Sequence, residues 1–115
     1  MDRKKQERAP FVEALEGYCQ QHLKAYHTPG HQLGQGISAY QASLFGDALR
    51  RDLGVMYALD DLFQPEGALK EAMDLAADLY GAGRTFFSIN GTTACIEAMI
   101  LAVCGSVQLW ITVGN

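Results

Sequence analysis

The sequence predicts an α/β protein: N-terminal helices, then the opening, incomplete part of a parallel sheet. Three observations carry this. Apolar residues recur at helical spacing in two stretches, and a run rich in β-branched and aromatic residues reads as a strand. A glycine turn then leads from that strand into an apolar helix. Helix, strand, glycine turn, buried helix and strand is the order in which a parallel α/β sheet begins.

The first helix opens at Ala9-Pro10-Phe11, because proline suits a first turn whose N–H groups have no partner. Phe11, Leu15, Tyr18, His22 and Tyr26 continue it as one apolar stripe, and Pro29-Gly30 is expected to stop it. Residues 27–36, rich in Gly, His and Gln, read as an irregular loop. A second amphipathic stretch, about Ser38 to Leu53, carries Leu44, Ala48 and Leu49 but has Gly46 inside it. Leu59-Asp60-Asp61-Leu62 reads as an ordered connection. A strong helix follows, with Pro65 near its start and Glu66 at the positive end of its dipole. Leu69, Ala72, Met73, Ala76, Leu79 and Tyr80 form its expected buried face, and Gly81 or Gly83 supplies the stop. Arg84 to Ile89 is the expected strand and Asn90-Gly91-Thr92-Thr93 the turn. Thr93 to Cys104 is apolar nearly all round except Glu97 and is expected to be buried. Val107 to Val113 completes the pattern as a second strand.

Composition bounds the function. The chain has 115 residues, 49% hydrophobic and 19% charged, which is too apolar for intrinsic disorder and fits one domain. Nine basic against thirteen acidic side chains argue against a stand-alone nucleic-acid binder. Arg3, Lys4, Lys5 and Arg8 cluster near the N-terminus, but Asp2 and Glu7 interrupt them, so they read as a solvated terminus. No secretory h-region follows, and the apolar run 98–103 is too short to span a membrane. Cys19, Cys95 and Cys104 form no CxxC pair, and Cys95 and Cys104 read as small buried hydrophobes. This usage indicates a reducing, cytoplasmic setting.

Three groups of residues could carry chemistry. In the 90–93 turn, free N–H groups, a helix dipole and two hydroxyls converge, which suits an anion such as a phosphate; alternatively Thr92 or Thr93 merely caps the helix. It is not a Walker A loop. His27-Thr28-Pro29-Gly30-His31 sets two imidazoles across a Pro-Gly break. This is weak as a metal pair and open between a ligand-facing polar role and loop structure. Asp60-Asp61 is better placed to cap the connection than to act as a carboxylate pair.

Taken in order, Tyr26-His27-Thr28-Pro29-Gly30-His31, Gly34 and Gly36, Leu59-Asp60-Asp61-Leu62 with Pro65-Glu66-Gly67, Arg84-Thr85-Phe86-Phe87 and Asn90-Gly91-Thr92-Thr93 make a specific set. Over residues 8 to 105 the chain resembles the N-terminal part of the Orn/Lys/Arg decarboxylase family, closest to its short bacterial branch. These are pyridoxal-phosphate enzymes of the aspartate-aminotransferase fold. The resemblance implies that Gly91, Thr92 and Thr93 bind the cofactor phosphate. It implies that His27, Thr28, Gly30 and His31 shape the substrate pocket, and that Asp60, Asp61 and Glu66 lie near its entrance. It divides the chain into an N-terminal helix and loop (1–36) and the start of the cofactor-binding large domain (37–115).

The departures set the expected function. Lys4, Lys5, Lys24 and Lys70 are the lysines present, and none has the context of the family's Schiff-base lysine. Residues 106–115 do not look like the family's continuation, so the chain is expected to be a truncated fragment. The expectation is therefore an N-terminal fragment of a decarboxylase of arginine, lysine or ornithine, a carboxy-lyase by family. Pyridoxal 5'-phosphate belongs to the complete enzyme, and the chain alone holds no stable cofactor, catalytic residue or metal. The expected partners are an amino-acid substrate in the complete enzyme and a second protein copy or full-length relative, not nucleic acid or membrane. The alternative is a small non-enzymatic interaction protein or split-enzyme subunit.

Overall fold

Pro10 opens the helix around which the first part of the chain is built. The structure, a computed structural model, describes residues 3–21, 23–54 and 56–104. They form five α-helices: α1 (Arg3–Gln6), α2 (Pro10–Cys19), α3 (Ala39–Phe45), α4 (Ala68–Tyr80) and α5 (Gly91–Cys104). Two 3-10 turns, Gly46–Arg50 and Tyr57–Leu59, lie between α3 and α4. The chain divides into two compact units, residues 1–85 and residues 86–115.

In the first unit α2 packs on α4 and on the 3-10 turn at Tyr57–Leu59. Cys19, Ala25, Leu59, Met73 and Ala77 form its core. The α2 helix ends at Cys19, not at Pro29 as its stripe suggests. Cys19 and Ala25, six residues apart, would lie about 120° apart around one continuous helix. The turn at Gln20 and Gln21 lets both face the same core, and Tyr26 is left exposed. His22, part of the expected stripe, lies outside the described residues. Cys19 Sγ donates to the Arg50 carbonyl at 3.0 Å, and Arg51 Nε donates to Glu16 Oε1 at 2.6 Å.

The second amphipathic stretch is two elements. Ser38 starts α3 with a capping box: its hydroxyl accepts from Gln41 N, while Gln41 Oε1 accepts from Ser38 N at 3.0 Å. Gly46, at φ +52 and ψ −133, ends α3 and redirects the chain into the 3-10 turn. In α4, Leu69, Ala72, Met73, Ala76 and Ala77 face inward, whereas Leu79 and Tyr80 are exposed. Gly81, at φ +65, supplies the left-handed stop, and Ala82 N–H closes onto the Ala77 carbonyl at 2.9 Å.

The parallel sheet is not seen. Among the described residues there is no strand, and β pairing is a single antiparallel bridge between Met56 and Asp60. Residues 84–88 are irregular, because a strand exists only through hydrogen bonds to a neighbour and none of the described residues provides one. The expected strand at 107–113 lies outside the described residues. The α5 helix begins at Gly91, two residues before its expected start, and none of it is buried. Cys95 and Cys104 are accordingly only partly buried, and all three cysteines are free. No described helix is long and apolar enough to cross a membrane.

Candidate functional site

In the first unit the Asp60 carboxylate accepts five backbone hydrogen bonds. Its Oδ1 accepts from the N–H groups of Asp61 (2.9 Å) and Glu66 (3.0 Å). Its Oδ2 accepts from those of Gly67 (2.8 Å), Leu69 (2.9 Å) and Lys70 (3.3 Å). The carboxylate thus occupies the N-terminus of α4 from eight residues upstream, where the free N–H groups and the helix dipole favour an anion. Partial burial pushes its pKa up, but the bonds from Glu66, Asp61, Gly67 and Lys70 outweigh this and hold it at about 2. The Asp60 backbone sits at φ +74 and ψ 174, a region that only glycine adopts freely, so the clamp holds a strained residue in place. Asp61 Oδ1 accepts from Phe63 N at 2.9 Å. Glu66, two residues before α4, donates its backbone N–H to Asp60. A cavity of about 640 Å³ opens beside this clamp, lined among others by Met56, Tyr57, Asp61, Gln64 and Glu66.

The loop from His27 to Gly36 is held by its two histidines. His31 Nδ1 accepts from Gly34 N–H at 3.3 Å, which leaves the ring proton on Nε2, 3.1 Å from Asp52 Oδ2. His27 Nδ1 lies 2.9 Å from the Thr28 carbonyl, which can only accept, so Nδ1 carries the proton. Its Nε2 is left as an acceptor 3.4 Å from the Tyr18 hydroxyl. All four ring nitrogens are engaged, so neither ring has a lone pair directed at a ligand. The Thr28–Pro29 bond is cis, and Gln32 (φ +50), Leu33 (φ +57) and Gly34 (φ +81) turn left-handed in succession. Thr28 and Gly30 are exposed at the loop surface. Next to this loop is a second cavity, about 590 Å³, lined by Cys19, Leu23, Leu33, Gly34, Asp47 and Arg50 among others. The parts played by Tyr18, Asp52 and this cavity are set by tertiary contacts between distant residues, for which the sequence carries no local signal.

Gly91, Thr92 and Thr93 form the exposed first turn of α5 in the second unit. Gly91 takes φ +76, and a Cβ there would meet nothing within 4 Å. The approach to the turn is open, and only the backbone conformation demands glycine. Ser88 Oγ accepts from Asn90 N at 3.3 Å and fixes the residue before it. The four loop residues are thus gathered in one unit and the three turn residues in the other. Among the described residues, no group of three or more His, Cys, Asp or Glu side chains could hold a metal ion.

The family model described as Orn/Lys/Arg decarboxylase, major domain, matches residues 9–113. The chain belongs to the Orn/Lys/Arg decarboxylase family. The family match runs past Gly105, where the resemblance was expected to end. The chain is 42% identical over 106 residues to an arginine decarboxylase of Bacillus anthracis, an alignment covering 91% of this chain and 22% of that protein. It is 43% identical over 110 residues to a lysine decarboxylase of Pseudomonas aeruginosa, covering 87% of this chain and 14% of the relative. It is 36% identical over 103 residues to an inducible ornithine decarboxylase of Escherichia coli, covering 84% and 14%. This family member therefore spans about a fifth or less of the length of these relatives. No solved structure matches it.

Proposed function

We propose that this chain contributes the phosphate turn and part of the substrate pocket of a pyridoxal-phosphate-dependent decarboxylase of arginine, lysine or ornithine, built on an aminotransferase-like fold. The observation that carries the reading is the family match over residues 9–113, which includes both the 27–31 loop and the 91–93 turn. In this reading Gly91, Thr92 and Thr93 hold the phosphate. The positive φ of Gly91 leaves the first N–H groups of α5 pointing outward, and the dipole of the helix adds positive potential there. Pyridoxal phosphate, when bound, supplies the electron-withdrawing ring that stabilises the charge left as carbon dioxide departs. Because their ring nitrogens are engaged, His27 and His31 shape the pocket and do not shuttle protons.

The chain's lysines decide what it can do alone. Lys4 and Lys5 lie in α1, Lys24 follows α2, and Lys70 bonds Asp74 on α4. None lies in residues 86–104 beside the turn. By itself, in this reading, the chain meets the cofactor only weakly, through its phosphate, holds none stably and does not turn over substrate. It works in the cytoplasm, as part of an assembly with further copies or a longer relative.

The test is a titration of the isotope-labelled chain with pyridoxal phosphate, followed by amide NMR, then borohydride reduction and peptide mapping. Shifts concentrated at Gly91, Thr92 and Thr93, with no lysine labelled in preference to the others, are expected. Inorganic phosphate should reproduce the shifts, and Gly91→Val should remove them. Shifts elsewhere, or one lysine selectively fixed to the cofactor, would overturn the reading.

A further inference from the structure

We infer that Asn90–Gly91 is a succinimide-forming site, and that its conversion from carboxamide to carboxylate switches off the anion turn that follows. The inference rests on the phosphate reading of Gly91–Thr93 and adds a mode of regulation to that same site. It stands on what surrounds the two reacting groups, in the one Asn-Gly pair of the chain. The nucleophile is the Gly91 backbone nitrogen. It belongs to the first residue of α5, whose N–H has no carbonyl to reach within its own helix, and no described residue accepts from it. The electrophile is the Asn90 side-chain carbonyl carbon, Cγ. Asn90 is held through its backbone N–H, which donates to Ser88 Oγ at 3.3 Å, while no described residue bonds its carboxamide. Both residues are exposed to water. Glycine presents no side chain to the incoming carbon, and a Cβ at 91 would meet nothing within 4 Å, so the approach is open.

The chemistry balances with water as its only co-reactant. The Gly91 nitrogen gives up its proton and bonds to Asn90 Cγ. The bond from Cγ to the side-chain nitrogen breaks, and that nitrogen takes up the proton and leaves as ammonia. Water then opens the resulting cyclic imide at either carbonyl. Cleavage at Cγ restores the backbone with an aspartyl residue at position 90, and cleavage at the main-chain carbonyl leaves an isoaspartyl link, one carbon longer. In sum, one water enters and one ammonia leaves. Position 90 immediately precedes the first helical residue, the place from which a side-chain oxygen caps a helix by accepting from the second and third N–H groups. Here these belong to Thr92 and Thr93, the donors that the phosphate needs. The Asp60 carboxylate already acts in this way at α4, accepting from Gly67 and Leu69 at 2.8 and 2.9 Å. A carboxylate at position 90 occupies the same donors in α5 and repels a phosphate as well. The isoaspartyl link adds a displacement of the turn itself.

The experiment incubates the full 115-residue chain, folded and unfolded in guanidinium chloride, and follows ammonia release together with aspartyl and isoaspartyl content by peptide mapping. Conversion at position 90 is expected in both, slowed less than about tenfold by folding, because nothing in the folded turn has to open first. Slowing of about tenfold or more means that local structure closes over the pair, and overturns the inference. Asn90→Gln, whose carbonyl carbon lies one carbon further out, should lose the release of ammonia over the same period. Release that persists in Asn90→Gln overturns the assignment of the site. Amide NMR with inorganic phosphate reads the switch. The shifts at Thr92 and Thr93 should be lost in proportion to conversion, be absent from Asn90→Asp, and persist in Asn90→Gln after the same incubation. An Asn90→Asp chain with the phosphate shifts of the fresh wild type overturns the switch. A fresh chain with no phosphate shifts counts against the proposed function and the switch together. Conversion at position 90, read by peptide mapping alone, does not depend on that outcome.

Discussion

At the scale of single residues the first unit depends on Asp60. Its folded pKa of about 2, against an ordinary value of 3.8, means that it stabilises the fold above about pH 4. That contribution is lost as the pH falls through about 2, because the folded state then has to give up an ionised acceptor. Asp60→Asn should remove about 1–2 kcal/mol at pH 7 and flatten the acid limb of stability, as measured by urea unfolding between pH 2 and 7. Asp60→Gly separates clamp from strain. It relaxes the backbone at φ +74 but still loses the acceptor, so it should remain below the wild type in stability. An unchanged acid limb in Asp60→Asn would contradict the clamp. His31 and Asp52 make a second contrast. His31→Ala strands the partly buried Gly34 N–H and should cost about 1–2 kcal/mol, whereas Asp52→Ala removes only an exposed partner, 59% accessible, and should cost well under 1 kcal/mol. Equal costs in thermal unfolding would mean that the Gly34 bond contributes little. Capping by Asp60 and Asp61 was legible in the sequence, whereas the contrast between His31 and Asp52 was not. Adjacent carboxylates point in different directions, which suggested capping of the connection; that Asp60 also reaches an N-terminus eight residues on has no local signature.

Helix boundaries show where sequence patterns govern and where packing overrides them. The capping box at Ser38 and the stop at Gly81 follow from local chemistry, since each satisfies backbone groups within one turn. The end of α2 does not, because burying both Cys19 and Ala25 outweighs an apolar stripe that would otherwise continue. The two glycines at helix ends give a graded prediction. Gly81→Ala at φ +65, ψ 28 enters the left-handed region that alanine tolerates at about 1 kcal/mol. Gly46→Ala at φ +52, ψ −133 enters a region closed to it and should cost more, although a Cβ meets no atom within 4 Å at either site. Circular dichroism during urea titration checks the order. If Gly46→Ala is the milder change, the break between α3 and the 3-10 turn is not held by the glycine backbone. The run Arg84 to Ile89 failed as a strand for the complementary reason. Its β-branched and aromatic residues set a preference, but the preference is realised only against a neighbouring strand.

For the molecule as a whole, the family and its ordered motifs were legible, because motif spacing survives in sequence. The expected burial of α5 was not realised, because burial belongs to a whole domain and not to one segment of it. The two units should therefore differ in local stability. In the first, α4 contributes Met73 and Ala77 to a shared core, so the amides between them should exchange only through cooperative opening. In the second, α5 is a 14-residue helix without a buried residue, close to the length at which isolated helices are marginal in water. Hydrogen exchange on the chain alone should give α4 amides protection roughly tenfold or more above those of α5. The argument turns on cause as well as rank. If α5 were already as protected as α4 in the chain alone, helix propensity or self-association would be supplying its stability. The apolar surface from Ile96 to Val103 would then need no larger body to cover it.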